Sequence, residues 1–134
     1  MPAFGPQMIG ATEKTLNALL RHVLAETALT EPQWVTLRLA AQNQSGAPLA
    51  ALVRSRAHFA DADEIIAALT RRALIADDAL SPAGHTLVAE LQARIAALTG
   101  PVWAELAADD VVATERVLTT VTRRVNEILD SLAS

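Results

Sequence analysis

The residues whose type and spacing could do chemistry are few, and most are arginines. Arg54-Ser55-Arg56 and His58 make one cationic run, and Arg71-Arg72 a second. A guanidinium meets phosphate oxygens as a two-pronged fork. In a turn ahead of a helix the first run can anchor a phosphate backbone; the alternative is ordinary solvated charge. His22, His58 and His85 lie far apart, with no i, i+4 pair and no His–Asp cluster at ligand spacing, so no metal site is expected. No nucleophile elbow, P-loop or glycine-rich phosphate loop is present. The chain has no cysteine, which removes disulfides, thiolate ligands and a cysteine nucleophile together. No catalytic residue, cofactor or enzyme activity is expected. The large apolar groups Trp34 and Trp103 are either core or partner contacts, or walls of a ligand pocket.

The totals bound what can position these groups. A chain of 134 residues fits one domain, and with 51% apolar residues it can build a core. Aromatics are 3%, so that core is aliphatic. A mean hydropathy of +0.27 suggests apolar helix faces covered by a partner chain. The net charge of −4 does not invite nucleic acid, but only the charge of the docking face decides that. No run approaches the ~18 apolar residues that a membrane span needs. The start has no basic region followed by an apolar run, so no leader is expected and a cytoplasmic location follows.

The periodicity is helical almost throughout. Leu16, Leu19, Leu20, Val23 and Leu24 form one stripe on a helix over 7–28. Thr30-Glu31-Pro32-Gln33 reads as a capping box with proline in the first turn, opening a second helix to about Ala41. Pro48 opens a short third helix. Asp61, with Glu64 three residues on, is expected to cap a fourth. Leu74-Ile75-Ala76 and Ala79-Leu80 flank Asp77-Asp78 as a small hairpin, with a turn poorer than Asn-Gly. Ser81-Pro82 starts a long helix over 82–106, which Gly100-Pro101 should kink or break. A last helix over 109–132 carries Leu118, Val121, Val125, Ile128 and Leu132 in steps of three and four, a coiled-coil-like seam.

This order of elements, together with three segments, resembles the multiple-antibiotic-resistance regulator (MarR) family. Leu29-Thr30-Glu31-Pro32-Gln33-Trp34-Val35-Thr36-Leu37 looks like that family's second-helix opening. Leu69-Thr70-Arg71-Arg72-Ala73-Leu74-Ile75 resembles the end of its recognition helix entering the wing, and Leu80-Ser81-Pro82-Ala83-Gly84-His85 its return strand and long-helix start. The resemblance implies a mainly α, single-domain winged helix-turn-helix, with the DNA lobe over 29–81 and a small β-hairpin wing. It implies a homodimer joined through the first and last helices, with Leu16 and Leu20 beside the seam residues. It implies a transcription regulator on duplex DNA, contacting it through Arg54, Ser55, Arg56, His58, Arg71 and Arg72. By the same analogy Trp34, Phe59 and Trp103 are pocket candidates for a small aromatic ligand that releases the DNA.

The charges depart from the family's pattern. The start of the expected reading helix is Asp61-Ala62-Asp63-Glu64, and carboxylates offer bases little beyond acceptance from cytosine; the other reading of these acids is helix capping. The wing carries Asp77 and Asp78 and no cation. Residues 43–85 hold four arginines (Arg54, Arg56, Arg71, Arg72) against five acids (Asp61, Asp63, Glu64, Asp77, Asp78), a net of −1. A face that neutralises several phosphates should be positive. The alternative is therefore a derived winged-helix dimer with weak or lost DNA binding, acting through protein partners or a small ligand.

Overall fold

A computed structural model describes residues 3–134. The chain runs α1 (Pro6–Leu24), α2 (Glu31–Gln42), α3 (Leu49–Ala57), α4 (Ala62–Arg71), β1 (Ile75–Ala76), β2 (Ala79–Leu80), α5 (Pro82–Ala104) and α6 (Ala108–Ala133). It divides into two compact units, one ending at Ala96 and the other spanning Ala97–Ser134.

The first unit holds the core. α2, α3 and α4 pack on one another, α1 packs on α2, and the hairpin packs on α2 and α4. Leu24, Leu37, Leu49, Val53, Leu69 and Leu91 are fully buried among them, with Trp34 beside them. The α2 start follows its sequence signature. Thr30 Oγ1 accepts from the Gln33 N–H at 3.2 Å, and Gln33 Oε1 accepts from the Thr30 N–H at 3.1 Å. Two donors that the first turn leaves without partners are thereby satisfied.

The α4 start corrects the expected cap. Asp61 occupies the cap position, but its side chain makes no capping bond. Its φ of −94° and ψ of 30° fall outside the extended region from which a cap side chain reaches the next turn's N–H groups. Its carbonyl oxygen instead accepts from Glu64 and Ile65, each at 3.1 Å. At its other end α4 stops in a Schellman turn. Ala73, at φ 59°, donates to Thr70 O, and Leu74 donates to Leu69 O. Leu69 and Leu74 are both buried, the apolar contact that accompanies this turn.

The hairpin is a two-residue loop with Ile75 opposite Leu80 and Ala76 opposite Ala79. Asp77 and Asp78 take φ of 53° and 63°, the left-handed pair of a type I′ turn. Ser81 then ties hairpin to helix. Its hydroxyl donates to Ala73 O at 2.6 Å and accepts from the Gly84 N–H at 3.0 Å. Gly84 lies where α5 passes the base of the wing: a Cβ there would stand 2.2 Å from Leu74 O.

The expected break at Gly100-Pro101 does not occur. α5 is assigned as one helix from Pro82 to Ala104 with Pro101 inside it. Neither proline nor glycine propensity terminates it. The second unit contains the end of this helix and α6. No residue of α6 is buried, and Leu118, Val121, Val125, Ile128 and Leu132 all lie exposed along it.

Candidate nucleic-acid interface

α3 and α4, joined by residues 58–61, are the two helices of a helix-turn-helix, and the β1–β2 hairpin is its wing. Arg54, Ser55 and Arg56 lie on the final turns of α3, not in the turn ahead of α4. Only His58 is in that turn. It sits at the C-terminal cap of α3 with φ 59°, and its N–H donates to Arg54 O at 3.1 Å. The α3 pattern of Leu49 and Val53 inward, with helix-compatible Arg-Ser-Arg following, carries the helix through the arginines.

The cationic residues do not share one fate. Arg54 Nη2 donates to Asp63 Oδ2 at 2.7 Å, an ion pair between α3 and the first turn of α4. The Arg72 guanidinium donates to Ala28 O at 3.3 Å and Thr27 O at 3.0 Å, which ties the end of α4 to the α1–α2 connection. Arg56 and Arg71 are exposed and make no hydrogen bond or ion pair among the described residues. Ser55 is exposed as well, with its hydroxyl turned back to Leu52 O at 3.2 Å. Two of the four arginines are therefore occupied within the protein, and two are available.

The wing holds the contact that sequence reasoning missed. Asp78 Oδ2 accepts from the Leu49 N–H at 2.9 Å, across 29 residues. Pro48, at the α3 cap position, has no polar side chain, and α3 has no side-chain cap of its own. The wing tip supplies it. A proline where a Ser or Asp would normally cap was the available signal: that helix start needed an acceptor from elsewhere. Both aspartates are exposed, but the Asp78 carboxylate is committed to the α3 start.

The aromatic candidates separate. Trp34 is 3% exposed and belongs to the core, Phe59 packs partly against that core, and Trp103 is 53% exposed in the second unit. A cavity of about 240 Å³ lies at the α2–α3 connection. It is lined by Leu39, Gln42, Asn43, Gln44, Ser45, Leu52 and Arg56, and by neither Trp34 nor Phe59. Of the dimer candidates, Leu20 is half-buried on the core of its own lobe, whereas Leu16 is exposed. Among the described residues no group of His, Asp and Glu could hold a metal ion, and no helix is long and apolar enough to cross a membrane.

These elements define a mainly α winged helix-turn-helix. Among solved structures the chain is similar to a transcriptional regulator of the MarR family from Rhodococcus sp. RHA1, at 18% sequence identity and a TM-score of 0.69. The match covers 86% of this chain and 88% of that one, so the likeness of fold spans nearly the full length of both. No family model matches the chain, and no curated protein does.

Proposed function

We propose that this chain is a homodimeric transcription regulator whose helix-turn-helix lobe docks on duplex DNA. The observation that carries the reading is the complete winged helix-turn-helix, matched in fold to a protein described as a transcriptional regulator. Arg56 and Arg71 are the primary phosphate contacts, because they are exposed and unpaired. Ser55 and His58 flank them. Arg54 contributes once its pairing to Asp63 opens, and Arg72 contributes least, because its guanidinium already satisfies two carbonyls. A second copy covers α6, whose apolar seam has no buried residue in the single chain. A small aromatic ligand that releases the DNA completes the reading; of its candidate residues, Trp34 is buried in the core and so the least available.

A second reading, a winged-helix dimer with little DNA affinity, is favoured by the internal commitment of Arg54 and Arg72. One experiment separates the two. Fluorescence anisotropy with random duplex across a salt series should show binding at low salt that weakens steeply as salt rises. Arg56→Glu with Arg71→Glu should abolish it. No binding of the wild type at ~20–50 mM salt refutes the first reading, since phosphate contacts supply essentially all non-specific affinity.

A further inference from the structure

The Arg54–Asp63 pair has a role that the helix-turn-helix fold does not require. Asp63 Oδ2 and a phosphate oxygen are the same kind of acceptor for a guanidinium. Arg54 Nη2 already holds the first at 2.7 Å. The Arg54 and Asp63 side chains are 49% and 77% exposed, so burial does not lock the pair shut. The surroundings supply internal controls. Asp61, two residues before Asp63, is exposed and its side chain accepts no hydrogen bond. Arg56, two residues after Arg54, is exposed and unpaired. Asp63 is thus engaged and Asp61 idle at the start of α4, and Arg54 is held and Arg56 free on α3.

We propose that Asp63 is an internal competitor of phosphate for Arg54, a positioning residue that holds down sequence-independent affinity for duplex DNA. The proposal rests on the DNA-docking reading above. An exposed ion pair of this geometry biases an equilibrium by about 1.5- to fivefold. A phosphate that takes Arg54 must overcome that factor in each lobe. Removing Asp63 should return it, beyond the general gain from deleting one negative charge. Asp61 measures that general gain, because its charge lies on the same helix start and within a Debye length of ~8–10 Å for the same phosphates.

The test uses the full chain, a random 20-base-pair duplex and anisotropy at ~50 mM salt. The variants are Asp63→Asn, Asp61→Asn, Arg54→Gln and the double Asp63→Asn/Arg54→Gln, with thermal melts to show that each is folded. With both lobes engaged, Asp63→Asn should tighten binding about two- to 25-fold more than Asp61→Asn, and steepen the salt dependence by about two phosphate contacts, one per lobe. The excess should vanish in the Arg54→Gln background. Equal gains from Asp61→Asn and Asp63→Asn, or an excess that survives without Arg54, overturn the proposal. If neither the wild type nor Asp63→Asn binds duplex, the docking reading fails, and inorganic phosphate decides the competition alone. The Arg54 side-chain N–H resonance, followed by NMR, should then respond at lower phosphate concentration in Asp63→Asn than in the wild type; equal responses overturn it.

Discussion

Asp78 carries two separable energies, and a short substitution series reads each. Its carboxylate accepts from the Leu49 N–H at 2.9 Å, at a helix start with no side-chain cap of its own. Its backbone holds φ 63°. A lost helix cap costs about 1 kcal/mol, within a range of ~0.5–2. The left-handed conformation costs a Cβ-bearing residue such as alanine roughly 1–2 kcal/mol, which Asp and Asn lower by local hydrogen bonding and Gly avoids. Asp78→Ala should lose both terms, about 2–3 kcal/mol in all. Asp78→Gly should lose the cap and recover the backbone term, for a net loss of about 0–1 kcal/mol. Asp78→Asn keeps an acceptor oxygen and tolerates the backbone; it should lose only the charge share, about 0.5 kcal/mol. Urea denaturation at fixed protomer concentration measures the series, with an unchanged m-value showing that the folded and unfolded states are the same in kind. The expected order of stability places Asn and Gly close together and both above Ala. If Ala and Asn match within ~0.5 kcal/mol, the wing does not cap α3. If Gly is as costly as Ala, the left-handed backbone contributes nothing.

Two further outcomes follow from the packing. Gly84→Ala would bring a Cβ to 2.2 Å from the Leu74 carbonyl oxygen, a backbone atom that cannot rotate away. It should cost about 1–3 kcal/mol, which a thermal melt against the wild type measures. Val121→Asp alters a residue exposed along α6 in the single chain, so circular dichroism should keep its helical signal while light scattering shows the mass fall from dimer to protomer. A wild type that is already monomeric at micromolar concentration, or a Val121→Asp variant that stays dimeric, removes α6 from the interface.

The elements were legible where a local rule decides them. The Thr30–Gln33 box, the Ser81 cap and the helical apolar stripes are short-range signals, and each element that they announce is present. Three expectations failed. The Asp61 cap fails because its ψ of 30° turns the side chain away from the turn that it should cap. The Pro101 break does not occur: α5 runs on through it, in step with the helical spacing of Leu98 and Val102. Arg54 and Arg56 are helical because the inward Leu49 and Val53 set the phase of α3.

The candidate interface was legible as a list of residues but not as a charge distribution. Composition gives Arg54 and Arg56 the same weight, and Arg71 and Arg72 likewise. Tertiary contacts separate each pair into one occupied and one free guanidinium. The five acids divide too: Asp63 answers Arg54 and Asp78 answers a helix start, while Asp61, Glu64 and Asp77 are left to solvent. A count of net charge over the lobe therefore misstates what a phosphate meets. On the docking reading, a phosphate would meet two ready cations, Arg56 and Arg71, two that the protein already holds, Arg54 and Arg72, and acids of which two are engaged by donors. On the docking reading proposed above, Arg56 and Arg71 carry the first contact and the Arg54–Asp63 pair adjusts its strength, so the pairing of each charge matters beside the sum.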